Sequence, residues 1–219
     1  MEAVYLLVHS PLMGPATWAP VAARLRAAGA AVAVPSLTGV RPPFAPGIAA
    51  AATAALPPGR PVVVVAHSSA GLFVPVIVER LAGAAAAAVF AEAALPARDG
   101  PSRPATPERL AQLRAMAPDG VLPRWTDWWD DVAPLFPDAA TQRVVTDEQP
   151  RLPLSYYEQP VPNPPGWAGL PCRYLLFSPS YERVAADARE RGWPVVHLPG
   201  GHFHQLVDPG AVTAAILAA

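Results

Sequence analysis

Apolar residues in this chain fall into two rhythms. Short runs, apolar throughout except at Arg173 and His197, occupy residues 4–8, 31–34, 62–66, 86–91, 173–177 and 195–198, and several are rich in valine. Runs of that length, bounded by glycine and proline, predict strands buried on both faces, as in a parallel sheet. Between them the spacing turns helical. Trp18, Val21 and Leu25 recur at one helix face, with Thr17 placed to cap the N-terminus, Pro20 in the first turn and Gly29 to stop it. Residues 48–56 predict an alanine-rich helix after a loop over 35–47. Residues 72–81 predict another, which Pro75 should kink by removing a backbone donor. Residues 181–191 form a third, ended by Gly192. Asp208 and Pro209 make a cap and a first position for a last helix, where Val212 and Ile216 share a face.

Strand alternating with helix predicts an α/β protein: a doubly wound, mainly parallel six-stranded sheet. Right-handed crossovers bring all six strand ends to one edge, where ligands bind in such sheets. His9, Ser10, Ser68, Glu92, the stretch 178–182 and His202 fall there. The pattern fades between residues 97 and 169. Prolines are dense, periodicity is poor, and Trp125, Trp128, Trp129, Tyr156, Tyr157 and Trp167 gather. Short helices over 107–115, 123–132 and 139–145 predict a small cap inserted into a core of residues 1–96 and 170–219.

Composition removes several chemistries. The chain has 219 residues, a formal net charge of −1 and a single cysteine, Cys172. One domain is the prior at this length, and near-neutrality points to neither nucleic acid nor an anionic membrane. One cysteine forms no internal disulfide, so a reducing, cytoplasmic setting is the simpler expectation. No signal peptide or membrane-spanning run is visible. All basic residues are arginine; with no lysine, Schiff-base and P-loop chemistry are out of reach. No metal or cofactor is expected, and the oligomeric state, a homodimer included, is left open.

The informative stretch is Val62-Val63-Val64-Val65-Ala66-His67-Ser68-Ser69-Ala70-Gly71. A buried strand that turns through small residues into a helix around a serine is a nucleophile elbow. Such a turn lifts the hydroxyl above the sheet and sets the next N–H at a helix start, where an oxyanion can be stabilised. The stretch resembles the G-H-S-x-G-G form of the α/β-hydrolase superfamily, with Ala66 and Ala70 where that form has glycine. Two further anchors agree: H-S-P-L-M-G-P-A-T-W-A-P-V-A-A-R-L from His9, and G-G-H-F-H-Q-L-V-D-P from Gly200. V-F-A-E-A-A-L-P around Glu92 is similar to the branch that holds plant ester hydrolases and hydroxynitrile lyases.

That resemblance implies Ser68 as nucleophile, Ser69 taking the role only if the frame slips by one. It implies His202 as base, with His204 the competitor and His67 a packing residue. The acid is open. The family commonly has Asp after the fifth strand, where this chain reads Ser178-Pro179-Ser180-Tyr181-Glu182. Glu92 leads, Glu182 follows, and a dyad without an acid is the remainder. Pro11 stands where the family supplies a backbone N–H, so the second oxyanion donor, beside the Ser69 N–H, falls to the Leu12 N–H or the Ser10 hydroxyl. An aromatic lid including Trp128 favours an apolar or aromatic ester or thioester as a small-molecule substrate. A Ser–His lyase or cyclase and a non-catalytic binding protein are the alternatives.

Overall fold

The computed structural model describes residues 2–218. Along the chain come β1 (Val4–Val8), α1 (Ala19–Ala27), β2 (Ala31–Ala33), α2 (Phe44–Thr53), β3 (Val62–His67), α3 (Val74–Arg80) and β4 (Ala85–Ala91). They are followed by α4 (Pro107–Met116), α5 (Ala139–Asp147), α6 (Ser155–Glu158), β5 (Cys172–Leu176), α7 (Glu182–Glu190), β6 (Val195–His197), α8 (His204–Val207) and α9 (Pro209–Leu217). The strands make one six-stranded sheet in the order β2-β1-β3-β4-β5-β6, every pair parallel.

The alternation of side chains along a strand sorts the core into two layers. Leu6, Val8, Val64, Ala66, Phe90 and Leu176 face one side, where α2, α3 and α7 bring Ile48, Ile77 and Ala185. Leu7, Val63, Val65, Val89 and Phe177 face the other, where α1 and α9 bring Val21, Leu25, Val212 and Ile216. The sheet is therefore doubly wound, as its sequence pattern predicts. Because β3 is central and all six of its residues are buried, the turn that follows it is held from both flanks. Among the described residues no helix is long and apolar enough to cross a membrane.

Several local expectations are corrected. Thr17 does not cap α1: it lies in a 3-10 turn, Pro15–Trp18, and its hydroxyl donates to the Gly14 carbonyl at 2.9 Å. Helix α2 begins at Phe44 rather than 48. Pro46 falls in its first turn, where no intrahelical N–H bond is lost. Pro75 kinks nothing, because Ser68–Phe73 form a 3-10 turn and α3 starts only at Val74, leaving the proline in the first turn. The helix expected over 123–132 shrinks to a 3-10 turn, Trp125–Trp128.

The segment between β4 and β5 has two side-chain N-caps, Thr106 for α4 and Asp138 for α5. Its Val132, Phe136, Val145, Tyr156 and Trp167 join the same apolar cluster as one sheet face, and only Leu113, Ala117 and Leu122 form a separate one. Glu148, just after α5, accepts the Ala16 N–H at 2.7 Å and packs on Gly14. The segment is thereby tied to the loop after β1.

Gly71 is the tightest point of the turn after β3. A Cβ there would overlap the Ala94 carbonyl oxygen and stand 3.1 Å from the Ala93 Cβ. Backbone cannot yield as a flexible side chain does, and overpacking of this kind costs roughly 1–3 kcal/mol. Gly71→Ala should therefore lower the unfolding free energy by an amount of that order, read as a lower urea midpoint at unchanged m. An unchanged midpoint would show that the turn is not wedged against the end of β4.

Candidate active site

Ser68 sits at the first position after β3 with φ 57°, in the left-handed region. That conformation costs on the order of 1–3 kcal/mol for a residue with a Cβ and persists only where the surroundings enforce it. Here its carbonyl accepts the Ala94 N–H at 3.0 Å while Gly71 lets the turn close on the same residue. The hydroxyl is thereby aimed at the loop after β6, and its oxygen lies 3.1 Å from His202 Nε2. Ser68 and His202 are 134 positions apart in sequence, and the sheet edge brings them together.

His202 is stacked on Tyr181, ring centroids 5.3 Å apart at 17°, with Trp125 at 6.0 Å. Burial, with His67 beside it, pushes its pKa well below the ordinary histidine value, so the ring is neutral and Nε2 has a lone pair free to accept from the Ser68 hydroxyl. The His202 carbonyl meets His67 Nε2 at 2.9 Å, so that nitrogen carries the hydrogen and donates. His67 thus packs, as expected, and also pins the loop bearing His202. On the neighbouring strand, His9 Nε2 accepts the Leu37 N–H at 3.0 Å, which leaves Nδ1–H to donate to the Ser10 carbonyl at 2.8 Å. Burial lowers both His9 and His67 to about 4. His204, the competitor for the base, is buried against Phe177, its ring 5.4 Å away.

Glu92 is fully buried, with φ 46° at the end of β4. It accepts the Phe177 N–H at 2.7 Å, the Ser178 N–H at 3.0 Å and the Ser178 hydroxyl. Burial raises its pKa, and those hydrogen bonds oppose the shift. The expected bond from Glu92 to the His202 ring is not formed: the carboxylate has been taken up by the end of β5, the place where the family's Asp would stand. Glu182 is exposed and paired with Arg189 at 2.8 Å, so it faces away from the edge. It stands in the first turn of α7, which carries it past the strand end.

The loop after β1 departs from the expected oxyanion arrangement. The Leu12 N–H is engaged with Ser10 Oγ at 3.2 Å, and Ser10 Oγ meets Ser69 Oγ at 2.9 Å. The Ser69 N–H, second in its 3-10 turn, has no acceptor within that turn. Tyr156 donates to Ser69 Oγ at 3.3 Å.

A cavity of about 480 Å³ opens over Ser68 and His202, walled by Trp125, Trp129, Leu135 and Tyr181. Trp128 is not among its walls. Its indole N–H donates to the Pro123 carbonyl at 3.1 Å and Arg109 covers its ring at 5.5 Å. Trp129 leaves the short turn in extended conformation, so its ring meets that of Trp125 at 5.8 Å. Tyr181 and Tyr156 had no site role in the sequence. For Tyr181 a signal existed, an aromatic residue just beyond a strand end; for Tyr156 there was none.

The family model for the alpha/beta hydrolase family matches residues 5–216. The chain belongs to that family. In structure it is similar to an extracellular alpha/beta-hydrolase from a Paenibacillus species, described as homologous in structure and function to tobacco salicylic acid binding protein 2. The TM-score is 0.75 at 16% identity, over 100% of this chain and 99% of that one. A mutant of polyneuridine aldehyde esterase gives TM-score 0.76 at 15% identity, over 100% and 99% of the two chains. The pyrethroid hydrolase PytH gives 0.70 at 17%, over 100% and 96%. No curated protein matches the sequence.

The buried imidazoles make stability depend on pH. Between about pH 6.5 and 4 the unfolded chain binds protons at His9 and His67 that the folded chain refuses. Stability then falls as pH drops, by up to about 1.4 kcal/mol per pH unit for each group. His202 and His204 act in the same direction, and Glu92, raised by burial, against it. The urea midpoint should therefore be lower at pH 5 than at pH 7. A midpoint that holds steady or rises would mean that these rings are not kept neutral by the fold.

Proposed function

We propose that this protein is a serine hydrolase that cleaves a small apolar or aromatic carboxylic ester or thioester through an acyl-Ser68 intermediate. The observation that carries the reading is Ser68 Oγ at 3.1 Å from His202 Nε2 beneath the aromatic cavity. Ser68 Oγ attacks the carbonyl carbon and passes its proton to His202 Nε2. The same proton goes to the leaving oxygen or sulfur as the acyl bond breaks. Water then repeats the sequence on the acyl-enzyme, and the acid leaves. Activation of Ser68 is supported by the neutral imidazole, and discrimination by the walls. No arginine lines the cavity and Asp131 does, which disfavours a substrate bearing a carboxylate. The names of the neighbouring structures, an esterase and a pyrethroid hydrolase among them, agree with an ester substrate. A cytoplasmic setting belongs to the same proposal and rests on the unpaired Cys172.

Glu92 is the proposed acid member, acting at longer range than a direct hydrogen bond. Turnover creates an imidazolium at His202. Glu92 is the one acidic side chain fully buried among the described residues, and no arginine pairs with it. A bonded triad acid contributes ~10⁴ in turnover, so a more distant one should contribute less.

The test is turnover of short and aromatic p-nitrophenyl esters. Ser68→Ala should remove it, and His202→Ala should cost several orders of magnitude. Glu92→Gln should lower kcat by roughly 10²-fold; its amide nitrogen would face the buried Phe177 or Ser178 N–H, so its thermal midpoint should fall too, and kcat is compared at a temperature where both enzymes are folded. Turnover surviving Ser68→Ala would point instead to acid–base chemistry without an acyl-enzyme. A Glu92→Gln enzyme within twofold of the parent would remove Glu92 from the mechanism.

A further inference from the structure

Pro11 removes one backbone donor from the place where the oxyanion forms, and the Leu12 N–H is spent on Ser10 Oγ. A hydrolase working through Ser68 would then have a single N–H, that of Ser69. Losing one oxyanion donor costs ~10²–10³ in kcat, so the deficit is large enough to need a replacement.

Three hydroxyls meet at this point, and their protons can be counted. Ser10 Oγ accepts from Leu12, Tyr156 donates to Ser69 Oγ at 3.3 Å, and one proton lies between Ser10 and Ser69 at 2.9 Å. Tyr156 and the Ser10–Ser69 contact use two of the three hydroxyl protons, so one is left over. Two placements exist. If Ser69 donated to Ser10, the spare proton would belong to Ser10, which is 1% exposed, and would be a buried donor without an acceptor. If Ser10 donates to Ser69, the spare proton belongs to Ser69, which is half-buried beside Ser68. The second placement strands no buried donor. Tyr156 enforces it: its phenol is buried and its pKa is raised by that burial, so it remains a donor and keeps a Ser69 lone pair occupied.

We infer that the Ser69 hydroxyl is the second oxyanion donor, with Ser10 and Tyr156 as positioning residues that turn its proton toward the reacting carbonyl. When Ser68 Oγ bonds to the carbonyl carbon, the carbonyl π pair moves onto oxygen, and the Ser69 O–H and N–H both hydrogen-bond it. The Ser69 proton stays on Ser69, while the proton of Ser68 goes to His202. The residue after the nucleophile then contributes more than its backbone, the only role its sequence position implies. The inference rests on the hydrolase reading of the same site.

The experiment compares wild type, Ser69→Ala, Ser69→Thr, Tyr156→Phe and the double variant Ser69→Ala/Tyr156→Phe. It uses p-nitrophenyl ester kinetics, the rate of labelling by a fluorophosphonate, and urea midpoints. Ser69→Ala should lower kcat by ~10²-fold with KM nearly unchanged, and slow labelling in parallel, in a protein whose urea midpoint is lowered because the Ser10 and Tyr156 hydroxyls lose their acceptor but which is fully folded without urea. Ser69→Thr, which keeps the hydroxyl, should recover most of that loss. Tyr156→Phe should lower kcat about tenfold on the wild-type background and not at all on the Ser69→Ala background, since it acts through that hydroxyl. Ser69→Ala within twofold of wild type, in a wild type that labels and turns over, would overturn this inference and leave the hydrolase reading intact. A wild type inert to both ester and fluorophosphonate would overturn the hydrolase reading and this inference with it.

Discussion

The site depends on how closely the turn after β3 approaches the chain leaving β4. Gly71 has no Cβ to keep the Ala94 carbonyl away, and the Ala94 N–H bonds the Ser68 carbonyl at 3.0 Å. Together these two contacts clamp a residue whose φ of 57° it would not adopt unaided. The clamp accounts for glycine at position 71, while positions 66 and 70, where the family's pattern has glycine, hold fully buried alanines. It also fixes the direction in which the Ser68 side chain leaves the backbone before any substrate arrives, an advantage of a strained turn over a mobile loop for the role proposed for Ser68.

Around that turn the sheet edge is lined with neutral, hydrogen-bonded rings rather than ion pairs. His9 holds the loop after β1 through Leu37 and Ser10, and His67 holds the loop after β6 through the His202 carbonyl. Each works as a rigid post because burial keeps it uncharged. Glu92 takes a similar part for β5 by binding Phe177 and Ser178. A side chain that the sequence offers as a catalytic acid is thus also a fastening between β4 and β5.

Much of the core was legible in the sequence because its physics is local. Unbroken valine runs announce buried parallel strands, and Asp208-Pro209 announces a helix start that the structure realises with Asp208 capping Ala211 at 2.9 Å. The meeting of Ser68 with His202 was legible because small residues around a serine and paired glycines before a histidine serve identifiable turns. The places of Glu92 and Glu182 were not, since the two differ in burial rather than in sequence context. The wall of the cavity was least legible. Residues 123–132 lack periodicity, and nothing local distinguishes Trp128, held by Pro123 and Arg109, from Trp125 and Trp129, which face the cavity. Pro75 misled because it read as a kink inside a helix over 72–81, whereas it lies in the first turn of a helix that starts at Val74.

Which hydroxyl at the end of β3 reacts decides the proposed function. Ser68 and Ser69 are adjacent and both half-buried, but only Ser68 meets His202. Reaction of the wild-type protein with a fluorophosphonate, followed by peptide mapping in a mass spectrometer, reads this directly. The account predicts one adduct per chain, located on Ser68. An adduct on Ser69, or on a residue away from this turn, would contradict it.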